Sequence, residues 1–201
     1  NPVIPFDAAA RTEIRLRDPA IIAVGRLDRQ KRYDLLIDAF AMIAAGYPDW
    51  NLYIFGEGPL RQELARRIRQ HGLNERIALA GLASPMDPLL RQAEIFVLCS
   101  DYEGFPNTLC EAMACGVPVI ATDCRSGPRE IIRDGVDGIL IERGSAQLLS
   151  GAIKDLIDDP NKRNSLGIRG PEVTERFSFE TIIGLWDSAF YDSVRCQNNL
   201  G

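Results

Sequence analysis

The sequence predicts an α/β fold: a doubly wound, parallel six-stranded sheet in the order 3-2-1-4-5-6, with helices on both faces and a helical C-terminal tail. Three observations lead there. Six short runs rich in Ile, Val, Leu or aromatic residues recur along the chain, most of them ending at Gly, Ser or Asp. The stretches between them are long enough for helices, the pattern that gives a parallel sheet covered on both faces. The 201 residues, 46% hydrophobic and 25% charged, have an ordinary globular composition. A chain of that length buries about two-thirds of its unfolded surface and needs no disulfide or metal to hold a core.

Each element follows from its local pattern. Strands are expected near 21–25, 51–56, 77–81, 95–99, 118–122 and 138–142. Helices are expected between them near 31–45, 59–71, 86–93, 107–115 and 127–133. The first places Leu35, Leu36, Ala39, Phe40 and Ile43 at helical spacing. Past residue 142 the strand signal stops, leaving helices near 145–158, 160–168 and 179–195. The chain opens Asn-Pro-Val-Ile-Pro without Met, so residues 1–17 are expected to be a linker from a missing N-terminal domain. Residues 18–178 then form the ligand-binding domain, and 179–201 a C-terminal helix.

The composition excludes several function classes. A net charge of −5 argues against a protein held by nucleic-acid phosphates. The longest apolar runs are strand-sized, too short to span a bilayer, and the opening residues are not expected to be a signal peptide. Five cysteines, an odd number with no C-x-x-C spacing, and one histidine make a zinc site improbable and suit a reducing cytoplasm. No G-x-S-x-G, Walker A or H-E-x-x-H motif occurs, nor an Asp-x-Asp pair to hold a metal on a nucleotide diphosphate.

In the order 3-2-1-4-5-6 the ligand crevice lies at the carboxyl ends of strands 1 and 4. The loop after strand 1, Gly25-Arg26-Leu27-Asp28-Arg29-Gln30-Lys31, supplies cations. Arg26 follows Gly25 at the crevice mouth, where a guanidinium suits a phosphate. Lys31 enters the site only through the crevice argument, and Arg29 and Arg32 read as surface cations. The loop after strand 4 carries Glu103 and Glu111, separated by seven residues. With a helix beginning near Pro106 or Asn107, Glu111 falls in its second turn and leans back toward the loop of Glu103. Gly104, Phe105, Pro106 and Asn107 between them offer backbone N–H groups and a helix N-terminus to a phosphate. Two hydroxyl-reading carboxylates around an anion seat suggest a nucleotide-sugar site. Gly56-Glu57-Gly58-Pro59-Leu60-Arg61 has the first half of a dinucleotide fingerprint, with Arg61 where the third glycine belongs. A tight turn and a ligand contact account for it equally well. His71, before Gly72, reads as a helix C-terminal residue that satisfies carbonyls.

Taken together, these residues resemble a family. The run from Glu103-Gly104-Phe105-Pro106 to Glu111-Ala112-Met113-Ala114-Cys115-Gly116-Val117-Pro118-Val119-Ile120-Ala121-Thr122 is similar to the signature of the retaining glycosyltransferases called group 1, or family 4. Gly25-Arg26-Leu27 with Lys31, Phe55-Gly56-Glu57-Gly58-Pro59, and the tail Arg176-Phe177-Ser178-Phe179 match in order, so the resemblance runs from about 20 to 192. It implies the donor-binding, Rossmann-like half of a two-domain hexosyltransferase, with Glu103, Arg26 and Lys31 carrying catalysis. Arg26 and Lys31 would bind the diphosphate, Glu111 the ribose hydroxyls and Glu103 the donor sugar. Gly25, Gly56, Glu57 and Gly58 would line the donor site. Gly104, Phe105, Pro106, Asn107, Thr108 and Leu109 would hold sugar and phosphate, with Gly81 and Leu82 near the base.

The resemblance further implies no metal and no cofactor beyond the nucleotide-sugar donor, a UDP-sugar or a GDP-sugar. Asp123-Cys124-Arg125-Ser126-Gly127-Pro128-Arg129-Glu130 resembles a UDP-sugar-using subset of the family. The acceptor, a glycan or lipid-linked sugar, would be held by the other domain, with peripheral membrane contact of the whole enzyme at the cytoplasmic face. The chain alone is then expected to bind donor without transferring it. Two other readings stay open: a UDP-sugar 2-epimerase of the same fold, and a non-catalytic nucleotide-binding module. The terminal helix, with Trp186, Phe190 and Tyr191, either crosses to the other domain or packs on its own.

Overall fold

Residues 2, 3, 9 and 11–187 are described by the computed structural model of this chain. Six strands form one sheet: β1 (Ala20–Val24), β2 (Asn51–Phe55), β3 (Ile77–Gly81), β4 (Ile95–Leu98), β5 (Val119–Thr122) and β6 (Ile139–Ile141). Their order is β3-β2-β1-β4-β5-β6 and every pairing is parallel, as the sequence predicts. β-branched residues dominate the central strands, which are buried on both faces and read as continuous apolar runs. Alternation along β1 divides the core in two: Ile21 and Ala23 face one apolar layer, Ile22 the other.

The first layer is covered by α1 (Tyr33–Ile43), α2 (Arg61–Gln70) and α6 (Ala146–Asp158), through residues such as Leu36, Phe40, Leu64 and Leu149. The second is covered by α3 (Asp87–Leu90), α4 (Asn107–Ala114), α5 (Pro128–Ile131) and α8 (Val173–Arg176), through Leu89, Leu109, Met113, Ile131 and Val173. A further helix, α7 (Pro160–Arg169), leads into a 3₁₀ turn at Gly170–Glu172.

Two expected helices are shorter than their sequence windows, each for a visible reason. Over 86–93 only Asp87–Leu90 is α-helical, because Gln92 and Ala93 donate three residues back, to Leu89 and Leu90, and tighten the end. Over 127–133 only Pro128–Ile131 is helical. There the N–H of Arg133 turns instead to the Asp137 carboxylate at 2.7 Å. Asp137 is fully buried and also takes Arg133 Nε at 2.6 Å and Arg176 Nη1 at 2.8 Å, so one carboxylate ends α5 and fastens α8. The helical turns over 170–176 lay outside the sequence expectation. A helix occupies 179–187, where Phe179, Leu185 and Trp186 are exposed; Phe190 and Tyr191 lie outside the described residues.

The stretch before β1 also touches the domain. The N–H of Val3 donates to Phe177 O at 2.8 Å, and that of Arg17 to the Tyr53 hydroxyl at 2.8 Å. Four cysteines, Cys99, Cys110, Cys115 and Cys124, are free thiols; Cys196 is outside the described residues. No helix among the described residues is long and apolar enough to cross a membrane.

Candidate active site

β1 pairs directly with β4, Ile21 with Ile95 and Ile22 with Phe96. The loops that leave their carboxyl ends therefore meet, as the topology requires. The Asp101 N–H donates to Gln30 O at 2.9 Å, and Gln30 Nε2 to Tyr102 O at 2.8 Å. At the centre of this seam Lys31 Nζ donates to Glu103 Oε1 at 2.6 Å. The Ser100 hydroxyl donates to the same oxygen at 2.6 Å. The pair is desolvated, the Lys31 side chain 16% and the Glu103 side chain 8% exposed. Both contacts fall on Oε1, so Oε2 has no partner among the described residues.

Glu103 is held from below as well. Thr122 Oγ1 donates to Ser100 O at 2.6 Å, and Ser126 Oγ donates to Glu103 O. Gly127 sits against the same loop: a Cβ there would lie 2.8 Å from Gly104 O and from Pro106 Cδ, at φ +89°. Phe105 stacks edge-on against Phe177 with ring centres 5.5 Å apart, tying the loop to the chain just after α8.

Glu111 occupies the second turn of α4, as expected. Its carboxylate is half-buried and has no hydrogen bond or ion pair among the described residues. Burial first, and the Asp87 charge second, push its carboxyl above the usual range. Between the two glutamates, the N–H groups of Gly104, Phe105, Asn107 and Thr108 find no acceptor among the described residues. The N-cap of α4, Pro106, supplies no capping side chain, so the positive end of the helix dipole is left open. Leu109 is placed differently from the expectation: its side chain is fully buried in the core, and its N–H already donates to Pro106 O at 3.0 Å.

The loops after β1, β2 and β3 interlock through the main chain. Gly25 N–H donates to Phe55 O, Leu27 N–H to Glu57 O, Leu60 N–H to Leu27 O, and Gly56 N–H to Gly81 O. A Cβ on Gly56 would lie 1.9 Å from Gly25 O, and one on Gly58 2.4 Å from Leu27 O. These glycines serve close backbone approach to the Gly25–Leu27 loop, a role beside the tight turn and the ligand contact that the sequence suggested. Glu57 pairs with Arg61 at 2.9 Å, whose Nη2 reaches Leu79 O at 2.9 Å. Gly81, at φ +76°, turns the chain to an exposed Leu82. Arg26 stands at the rim, 73% exposed, with Nε 3.9 Å from Asp28.

Two expectations are corrected. Arg32 is no surface cation: it caps α1 at φ +50°, is half-buried, and bridges Asp34 and Asp101 at 3.1 Å each. It thereby joins the α1 start to the Glu103 loop, and no periodicity or motif marks it. His71 satisfies a carboxylate rather than carbonyls, its Nε2 lying 2.9 Å from Asp38, which Arg67 also holds. Ser100 and Tyr33 are the other residues around the site that the sequence did not single out, while Ser126 and Gly127 lie in the Asp123–Glu130 segment it did.

With this geometry in hand, the chain can be set beside known proteins. A sequence profile described as glycosyl transferases group 1 matches residues 7–173. Over 185 residues, 92% of the chain, it is 36% identical to the exopolysaccharide phosphotransferase SCO2592 of Streptomyces coelicolor, covering 20% of that protein. Over 156 residues, 78% of the chain, it is 35% identical to a Campylobacter jejuni enzyme. That relative is the N-acetylgalactosamine-N,N'-diacetylbacillosaminyl-diphospho-undecaprenol 4-alpha-N-acetylgalactosaminyltransferase, of which the match covers 42%. A crystal structure of a mutant of S. aureus TarM in complex with Fondaparinux, alpha-GlcNAc-glycerol and UDP superposes with a TM-score of 0.84 at 26% identity. That superposition covers 94% of this chain and 38% of TarM. The chain thus spans less than half the length of the curated relatives named here. It belongs to the group 1 glycosyl transferases.

Proposed function

We propose that this chain is the donor-binding domain of a retaining, metal-independent glycosyltransferase that takes its sugar from a nucleotide diphosphate sugar, a UDP-sugar. The observation that carries the reading is Glu111: a half-buried carboxylate with no hydrogen bond or ion pair among the described residues, one helical turn from four backbone N–H groups that find no acceptor among them. A buried charge without a partner is costly, and a pair of ribose hydroxyls supplies what it lacks. The open N–H groups and the α4 N-terminus suit phosphate and sugar oxygens. Lys31 and the rim residue Arg26 bring positive charge to the departing diphosphate, where preorganised charge lowers the barrier without metal. Glu103, fixed through Oε1 by Lys31 and Ser100, presents Oε2 to a donor-sugar hydroxyl.

The choice of UDP is supported by the UDP in the TarM structure and by the segment Asp123–Glu130. The Campylobacter relative, named for transfer onto an undecaprenol-linked sugar, supports a glycan or lipid-linked acceptor at the cytoplasmic face of a membrane. Acceptor recognition falls, in this reading, to a second domain such as the greater length of the relatives provides. Calorimetric titration with UDP, GDP and ADP, with and without EDTA and repeated on Glu111→Ala, tests the proposal. Selective UDP binding, unmoved by EDTA and weakened in the variant, is expected. Failure to bind any nucleotide would refute it.

A further inference from the structure

The hydroxyl of Tyr33 is a polar group at the β1–β4 crevice that the reading above does not use. Tyr33 opens α1, two residues after Lys31, and is 3% exposed. Its ring packs in the core layer beneath β1. Its hydroxyl makes no hydrogen bond with any of the described residues. The oxygen lies under the first-strand loop: a Cβ built on Gly25 would stand 2.8 Å from it and 3.0 Å from Lys31 Cε. Gly25, at φ +155°, therefore lets the Tyr33 hydroxyl and the Lys31 stem approach its backbone more closely than any side chain there would allow, at the mouth where β1 meets β4.

No buried side-chain nitrogen or oxygen among the described residues lacks a partner, so this oxygen, which bonds to none of them, keeps contact with solvent, and the surrounding groups narrow what replaces that water. Burial, with Cys99, Glu103 and Asp28 nearby, holds the phenol well above its ordinary pKa, so it stays protonated at any physiological pH and offers a donor. Glu103 Oε1 is already filled by Lys31 and Ser100. An acceptor rich in negative oxygen, brought in beside Lys31, fits this donor.

We propose that the Tyr33 hydroxyl is a donor-site ligand group, giving a hydrogen bond to a diphosphate oxygen of the bound nucleotide over Gly25. The inference rests on the nucleotide-binding reading and adds to it a residue outside the resembling motifs. Tyr33→Phe removes only the oxygen, and since that oxygen makes no bond with any of the described residues, the free variant should melt within a few degrees of the unaltered chain. Its affinity for UDP should fall on the order of tenfold, the worth of a hydrogen bond to a charged group. Uridine, which lacks phosphate, should bind the variant and the unaltered chain equally when measured by competition.

Three results would overturn it. UDP binding unchanged in Tyr33→Phe but weakened in Glu111→Ala would remove Tyr33 and leave the nucleotide reading standing. Equal loss of UDP and uridine, together with a lowered melting temperature, would make the phenol purely structural. No UDP binding by the unaltered chain would take both readings down.

Discussion

Lys31→Met would leave the Glu103 carboxylate, with 8% of its side chain exposed, only the Ser100 hydroxyl as a side-chain partner among the described residues. At 2.6 Å and an effective dielectric near 20, the lost attraction is about 6 kcal/mol gross. Desolvation of both ions offsets much of that, and removing one partner of a fully buried pair costs about 3–5 kcal/mol net. Lys31 keeps 16% exposure, so the low end applies, about 3 kcal/mol, or roughly 6–12 °C in melting temperature for a domain of this size. Glu103→Gln should cost less, because the freed ammonium sits on a flexible stem and can reach water. The pair Lys31→Met with Glu103→Gln should recover to within about 1 kcal/mol of the unaltered chain, leaving no unpaired buried charge. Urea denaturation of the four proteins at pH 7 measures the cycle. A single-variant cost below about 0.5 kcal/mol with additive behaviour, as for exposed pairs, would refute the reasoning: the ion pair would then be solvated and would not hold Glu103.

Two further outcomes follow from the site. Because the folded state raises the Glu111 pKa, its ionised form opposes folding, and that opposition disappears as pH falls through the raised value. Glu111→Gln should therefore melt higher than the unaltered chain at neutral pH, with the gap closing on acidification, while UDP affinity falls over the same range only where Glu111 is present. A gap independent of pH in thermal melts from pH 7 to 4 would contradict this. Gly56→Ala would drive a methyl to 1.9 Å from Gly25 O at φ +139°, a backbone clash that should cost more than about 3 kcal/mol or prevent folding. Gly46→Ala, whose Cβ would meet only Ile43 O at 3.6 Å, is the control expected to stay within about 1 kcal/mol. Circular dichroism melts compare the two.

Much of this architecture was legible in the sequence because it is written locally. The apolar runs that become β1 to β6, and the Leu35, Leu36, Phe40 and Ile43 stripe of α1, carry their periods in the order of residues. Six strands joined by helical crossovers favoured the doubly wound order 3-2-1-4-5-6, which brought Lys31 and Glu103 to one seam from 72 positions apart. The Glu103–Glu111 spacing placed the second glutamate in the second turn of α4, since the helix period alone decides that. Tertiary structure decided the rest. Whether Arg32 is a loose surface cation or a bridge between Asp34 and Asp101 depends on which loop arrives beside it. Asp137 shortened α5 by capturing the Arg133 N–H, and drew Arg176 in from α8, a choice made by burial. Gly56 and Gly58 declared a backbone need, but only packing showed that the need was the Gly25–Leu27 loop. The Tyr33 hydroxyl, placed beside Gly25 and Lys31 beneath that loop, has no signature in any pattern of residues. Periodicity and backbone preference belong to neighbours in sequence; ion pairs, close approaches and unfilled hydrogen bonds belong to neighbours in space.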